Sequence, residues 1–320
     1  MLETTKHVLL GAGGSIANAL ARNLVAERRS VRLVSRHAAA VEGAESVRAD
    51  LLDAVSVREA VETGSTVYLL AGLRYDTAVW RAQWPKIMNN VIEACLQHGA
   101  RLVFFDNVYM YGRVDGVMTE TTPVNPNSRK GEVRGRIAAT LLDATKDRGL
   151  KACIARAADF YGPGASNSVP HQLVFTPLSH AKAAQWLVNA KVPHSFTYTP
   201  DCGRALPLLA SADDVWGQVW HLPTAAPAPT GIEFVDLAAR AFGSQPRLRV
   251  LAPWMLRMAG LFNPTIREIV EMLYQYEIPT IFDSSKFERR FAFTPTPYAR
   301  GIEETARDYR TDSGGSRATQ

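Results

Sequence analysis

Cysteine is scarce in this chain. Cys95, Cys153 and Cys202 are the only three, and no two share the C-x-x-C spacing of a zinc site or redox motif. A disulfide framework is therefore excluded as an organising device, and a reducing compartment, the cytoplasm, is expected. Histidine is thinly spread as well. His171, His180, His194 and His221 stand alone, without the paired spacing of a metal site, so each reads as a surface or packed residue and no metal is expected. No apolar run is long enough to span a bilayer, and the opening Met-Leu-Glu-Thr-Thr-Lys lacks the apolar core of a secretory signal, so neither membrane nor export is expected. Charge is not concentrated either: 36 basic against 31 acidic residues leave +5. Without a polybasic run interleaved with aromatics, nucleic-acid binding is not expected. Hydrophobic residues at 47% and charged residues at 21% exclude a disordered chain. At 320 residues the chain is long for a single core, which predicts a main domain with a smaller companion.

What is present is a regular alternation through the first half. Strand-like segments at Val8–Gly11, Val31–Ser35, Ser46–Arg48, Val67–Ala71, Arg101–Phe105 and Lys151–Arg156 are separated by helical stretches. Strands rich in Val, Leu and Phe in such an alternation predict a parallel sheet covered on both faces. Pro85–Gln97 reads as a helix with Ile87, Val91 and Ala94 on one face, and Lys130–Asp147 as another with Ile137, Leu141 and Ala144 inward. The second half is less regular. Gly162–Pro200 is proline-rich, as a substrate-side insertion would be. Thr230-Gly231-Ile232-Glu233 spells a capping box opening a helix that stops at Gly243. Ile266, Val270, Leu273 and Tyr274 fall at helical spacing, and Thr296-Pro297 opens the last helix. The small polar stretch Thr311–Gln320 predicts a disordered tail. Trp254, Met255, Leu256 and Met258 are expected to line the core or a substrate cleft.

The most informative stretch is His7-Val8-Leu9-Leu10-Gly11-Ala12-Gly13-Gly14-Ser15-Ile16-Ala17. A short apolar strand runs into a glycine cluster and then into an alanine-rich helix. That geometry aims backbone N–H groups and the positive end of a helix dipole at a phosphate. Gly11 suits the tight turn, Gly13 and Gly14 clear room for a pyrophosphate over the Ser15 and Ile16 amides, and Ala17 lets helix and strand pack closely.

Taken together, the motifs resemble the extended short-chain dehydrogenase/reductases, the NAD-dependent epimerase/dehydratase-like branch, over nearly the whole chain. Gly11-x-x-Gly14-x-x-Ala17 looks like its glycine motif with alanine for the last glycine. Asp50-Leu51 resembles the acidic pair that holds the adenine ring, and Leu70-Ala71-Gly72-Leu73 the turn after the fourth strand that lies along the cofactor. Tyr111-Gly112 and Tyr161-Gly162-Pro163-Gly164 resemble the VYG and YGPG signatures. The resemblance implies an α/β fold, a Rossmann-type doubly wound parallel sheet with a smaller, mostly C-terminal substrate domain. The expected division is 1–165 for nucleotide binding, with 201–225 returning to it, and 166–200 with 226–310 for substrate. It also implies a small-molecule substrate and a homodimer through two helices of the nucleotide-binding domain. At the end of the second strand, where NAD enzymes carry a carboxylate for the ribose 2′-OH, this chain has Ser35-Arg36-His37. A guanidinium there suits a 2′-phosphate, so NADP(H) is expected over NAD(H).

The catalytic positions depart from the family. Asn107 stands where a Ser or Thr is usual, five residues before the glycine of VYG, and can still donate to a carbonyl oxygen. No tyrosine occurs between Gly112 and Phe160; the segment matching Tyr-x-x-x-Lys is Lys130-Gly131-Glu132-Val133-Arg134. Residues four apart share a helix face, so Lys130 and Arg134 are expected to project together, with Arg134 reaching the nicotinamide ribose. Three readings stay open. Repulsion between the two cations would favour a neutral Lys130 acting as general acid or base; the pair would hold an anion or position the cofactor; or the two belong to a solvated basic face. Tyr109 is a candidate to replace the missing phenol, and Asp106 to act as a base or pair with Lys130. The leading expectation is an NADP(H)-dependent oxidoreductase acting on a small carbonyl or enone, with substrate between Asn107, Lys130 and the C-terminal domain. A catalytically silent NADP(H)-binding sensor and a sugar-nucleotide epimerase or dehydratase are the alternatives.

Overall fold

The structure, a computed structural model, describes residues 5–315. The chain forms two compact units. The first comprises Met1–Gly112, Pro123–Ala157 and Cys202–Leu222; the second comprises Arg113–Thr122, Ala158–Asp201 and Pro223–Gln320.

In the first unit the alternation becomes β1 (His7–Leu10), α1 (Ser15–Ala26), β2 (Val31–Ser35), β3 (Glu45–Arg48), α2 (Ala54–Ala60), β4 (Thr66–Leu69), α3 (Thr77–Gln97), β5 (Arg101–Asp106), α4 (Arg129–Arg148), β6 (Ala152–Arg156) and β7 (Val219–His221). The seven strands form one sheet in the order β7-β6-β5-β4-β1-β2-β3. Every neighbouring pair is parallel, the doubly wound Rossmann arrangement, whose ligands bind beyond the carboxyl ends of the strands. The central strands are buried on both faces, which is why β1 and β4 are apolar throughout after their first residues, His7 and Thr66, rather than alternating.

Helix α3 corrects the expectation that it starts at Pro85. Asp76 caps it, accepting a hydrogen bond from the Val79 amide at 3.0 Å, and Thr77, Trp80 and Trp84 already bury themselves at helical spacing. Pro85 lies inside, where its missing N–H costs one ladder bond. The aromatic burial of the preceding turns outweighs that loss.

His7 opens β1 in an apolar setting, its Nδ1 3.1 Å from the Tyr68 hydroxyl. Burial, reinforced by the positive charges of Arg29 and Arg101, pushes its pKa down to about 4. The unfolded chain protonates this imidazole near 6.5 and the native chain only near 4. The neutral ring's contribution is therefore complete above pH 6.5 and is lost as pH falls from 6.5 to 4, on the order of 2 kcal/mol after solvent screening. Urea unfolding at pH 7 and 4.5 should show His7→Gln losing less stability on acidification than wild type, by about that amount; equal losses would refute the assignment.

The second unit is built from short pieces. Three parallel two-stranded ladders join Asp159–Tyr161 to Phe196–Tyr198, Ala184–Leu187 to Leu248–Leu251, and Ile281–Phe282 to Val117–Met118. Its core is aromatic: Phe234 packs against Tyr161, Phe175, Trp186, Phe196 and Tyr298. The capping box is present, with Thr230 and Glu233 bonded reciprocally ahead of the helix Gly231–Ala241. The run expected through Ile266–Tyr274 divides into a helix at Pro264–Val270 and a 3₁₀ turn at Leu273–Tyr276. The last helix, Tyr298–Gly315, continues past Thr311, where a tail was expected to begin; the remainder of that tail, 316–320, lies outside the described residues.

Candidate cofactor and active site

The glycine turn between β1 and α1 divides its labour. Gly11 has φ +90°, and a Cβ there would overlap the backbone of Ala71, beyond the end of β4. Close packing of two strand ends is thus its requirement, in addition to the turn itself. The amides of Gly11 and Ala12 both donate to the Val34 carbonyl, at 2.9 and 3.0 Å, which fixes the turn to β2. Gly13 and Gly14 differ: a Cβ at either would meet nothing. Gly14 is the N-cap of α1 and supplies no side-chain bond to the first-turn amides. Ser15 is half-buried there and Ile16 faces the core. Bare amides at a helix N-terminus, with open space where side chains would stand, suit a pyrophosphate. A nicotinamide dinucleotide fits this cradle.

The other residues expected to hold the cofactor sit along the same strand ends. Asp50 is exposed, and its Oδ1 accepts from the Leu52 amide at 3.0 Å. Leu51 is buried and its carbonyl accepts from Asn90 Nδ2 at 2.9 Å. Ala71 and Leu73 are half-buried and flank the exposed Gly72. Ser35 donates its hydroxyl to the His37 carbonyl, so the turn after β2 is held by its own side chain. Arg36 and His37 line a shallow depression with Ala38, Ser46, Val47 and Arg48. Sequence reading overlooked Arg48. The signal was parallel register, which sets Arg48 beside Ser35 and brings a second guanidinium to the mouth of β2.

At the end of β5 the structure departs most from expectation. Lys130 and Arg134 are both buried, at 0% and 4% exposure, so the solvated basic face is corrected. Arg134 donates Nε to Asp106 Oδ1 at 2.7 Å, and its Nη2 lies 2.6 Å from the same oxygen and donates to the Phe105 carbonyl at 3.3 Å. Its guanidinium lies over the rings of Trp84 and Phe104, at 4.5 and 4.9 Å. Arg156 approaches the other carboxylate oxygen, Nε to Oδ2 at 3.3 Å, and lies over Tyr111. Asp106 thus pairs with Arg134 and Arg156. The adjacent cation that was to unsettle Lys130 is turned onto Asp106, which it shares with Arg156, and its side chain is held by the sheet.

Lys130 takes another direction. Its Nζ donates to Thr77 Oγ1 at 3.2 Å and lies 4.5 Å from the Tyr75 ring centroid, a cation–π contact. Local sequence explains the depth. Ser128 caps α4 through the Gly131 amide at 3.0 Å, and a Cβ on Gly131 would overlap the Tyr109 carbonyl. Glycine therefore lets the first turn of α4 press against the end of β5 and carries Lys130 inward. Asn107 and Tyr109 are half-buried. The Tyr109 amide donates to Asn107 Oδ1 at 3.0 Å, and the Tyr109 ring stacks on Trp80. Tyr111 is buried, its hydroxyl 2.7 Å from His221 Nε2.

A family model described as the NAD dependent epimerase/dehydratase family matches residues 7–219. The chain belongs to that family. Among other epimerase/dehydratase-type structures, it superposes on the dTDP-glucose 4,6-dehydratase DesIV of Streptomyces venezuelae, solved with NAD, at a TM-score of 0.80 and 18% identity, over 97% of this chain and 98% of that one. The UDP-glucose 4-epimerase of Thermus thermophilus, also with NAD, gives 0.77 and 18% over 96% and 99%. These likenesses show the shared fold. Two Arabidopsis thaliana proteins named 3beta-hydroxysteroid-dehydrogenase/decarboxylase, isoforms 2 and 1, are each 23% identical over 85% and 81% of this chain. The chain spans 53% and 65% of the length of those relatives.

Proposed function

We propose that this member of the epimerase/dehydratase family binds a nicotinamide dinucleotide, NADP(H) in preference to NAD(H), as a sensor of cofactor state without the family's proton-transfer step. One observation carries the reading: the two residues in the places of the phenol and its lysine are Lys130, fully buried over Tyr75, and Arg134, bound to Asp106. Hydride exchange with a carbonyl needs an acid within about 2.6–3.2 Å of the oxygen, directly or through one water. A guanidinium does not release a proton in proteins, and a lysine enclosed by Thr77 and Tyr75 is not presented to a substrate oxygen. The preference for NADP(H) is supported by Arg36 and Arg48 on one depression, neither holding an ion pair among the described residues. Guanidinium groups there suit the extra phosphate through bidentate, charge-assisted bonds.

A second reading keeps an oxidoreductase acting on a small carbonyl or enone. It is favoured by Asn107, half-buried at the end of β5 with its carbonyl oxygen engaged by Tyr109 and its NH₂ group left to donate. Stabilising an enolate oxygen needs such a donor and no phenol. Calorimetric titration with NADPH and NADH, followed by absorbance at the reduced nicotinamide band across aldehydes, ketones, enones and sugar nucleotides, separates the two. The expected result is binding of both cofactors, NADPH about ten- to a hundredfold tighter, and no turnover, since one charge-assisted contact is worth about 1.5–3 kcal/mol. Arg36→Ala and Arg48→Ala should each remove most of that margin and leave NADH unchanged. Turnover abolished by Lys130→Ala with cofactor affinity intact would establish a catalytic lysine and overturn the sensor. No heat with either nucleotide would overturn both readings.

A further inference from the structure

Trp254, Met255, Leu256 and Met258, expected to line the core or a substrate cleft, fall on the helix Pro253–Phe262 of the second unit, and most of that helix is not enclosed. Leu256 and Gly260 face inward, but Trp254 is 67%, Met258 54%, Leu261 69% and Phe262 86% exposed. At 3.6 residues per turn these four fall within about 100° of arc, on the side away from Leu256. Scattered exposed apolar residues need no explanation, whereas four large ones on one stripe do. Arg257 borders the stripe and is exposed. From Ser244 to Arg267 the sequence holds four arginines, at 247, 249, 257 and 267, and no Asp or Glu.

We propose that this face seats the protein on an anionic membrane surface. The helix would lie in the interfacial plane, with Trp254, Met258, Leu261 and Phe262 in the acyl boundary and the arginines against lipid phosphates. An apolar stripe edged by one sign of charge is the pattern of an interfacial helix. Tryptophan favours the headgroup level, and arginine reaches it by extending its charged end. Such a seat needs no spanning segment, and among the described residues no helix is long and apolar enough to cross a membrane. The expectation of no membrane contact rested on the lack of an apolar run, which bears on spanning alone. A second copy fits less well: a ten-residue helix is about 15 Å long, short for an interface of about 800 Å² per partner.

The full chain should be floated on density gradients with vesicles of phosphatidylcholine alone and of phosphatidylcholine with phosphatidylserine at 3:1. Partitioning should rise at least fivefold with phosphatidylserine, about the factor expected of one arginine near an anionic surface. Trp254→Ser with Phe262→Ser should lower it at least tenfold, because two large side chains leave the lipid. Arg249→Gln with Arg257→Gln should remove the gain from phosphatidylserine while leaving the weaker neutral binding. All these positions are exposed, so thermal melting midpoints should stay unchanged and certify folding. Absence of flotation on either vesicle, or flotation indifferent to the serine pair, would overturn the proposal. So would a concentration-dependent dimer in sedimentation velocity that the serine pair abolishes without vesicle binding, which would assign the face to a second copy.

Discussion

Replacing Asp106 by Ala should destabilise the protein by about 3–5 kcal/mol, the cost of breaking a buried ion pair from one side. The carboxylate side chain is fully buried, and both Arg134 and Arg156 bind it. Its removal leaves two guanidinium groups in the sheet without their anion, one stacked on Trp84 and the other on Tyr111. The amide of Asn107, which donates to Asp106 Oδ1 at 2.9 Å, loses its acceptor as well. The melting midpoint should fall by roughly 10 °C, at about 2–4 °C per kcal/mol for a unit of this size. Asp106→Asn should cost nearly as much, since shape is kept and charge is lost. The double change Asp106→Leu with Arg134→Met should recover part of the loss, because apolar replacement of a buried pair is often neutral, but not all, because Arg156 stays. Non-additivity of that sign is the signature of a coupled pair. An unchanged midpoint for Asp106→Ala would mean that the arginines find solvent, and would reopen Arg134 to the cofactor.

That cluster also marks where the sequence stops being legible. The sheet was readable because β–α alternation and unbroken apolar strands are local patterns, and a strand such as Val31–Ser35 was placed to the residue. The glycine cradle was readable because turn, helix start and strand end adjoin in the chain. Arg134 and Asp106 lie 28 residues apart, joined only by the β5–α4–β6 crossover, and nothing in the spacing says which way a long side chain turns. Helical periodicity set Lys130 and Arg134 one turn apart but could not tell whether that side of α4 met solvent or sheet, nor that Lys130 turns to Thr77 while Arg134 turns to Asp106. Gly131 held the clue, since a glycine in a first turn signals close approach. Arg48 was missed for a similar reason: parallel register, not sequence distance, brings it beside Ser35. The cluster Trp254, Met255, Leu256 and Met258 erred the other way, for its composition is that of a buried element and only its surroundings expose Trp254 and Met258.

Gly14→Asp should weaken nicotinamide dinucleotide binding by about a hundredfold and leave the fold as stable as wild type or more so. The two effects have opposite causes. Gly14 has φ −81° and ψ 164°, extended backbone open to any residue, and a Cβ there meets nothing. Aspartate is among the preferred helix N-caps, and its carboxylate would bond first-turn amides that now lack a side-chain partner. Stability should rise by up to about 1 kcal/mol. The same carboxylate would occupy the anion's place and repel it: at about 6 Å and an effective dielectric of 20, two unit charges oppose each other by about 2.8 kcal/mol, a factor of a hundred in affinity. Gly14→Asn caps equally well without charge, and its smaller loss of affinity would divide bulk from electrostatics. Gly11 allows no such separation, because any side chain there meets the Ala71 backbone. Calorimetry against NADPH beside thermal melts therefore tests the cradle itself. If affinity survives Gly14→Asp, the phosphate is not over this helix, and the glycine is a vestige of the turn.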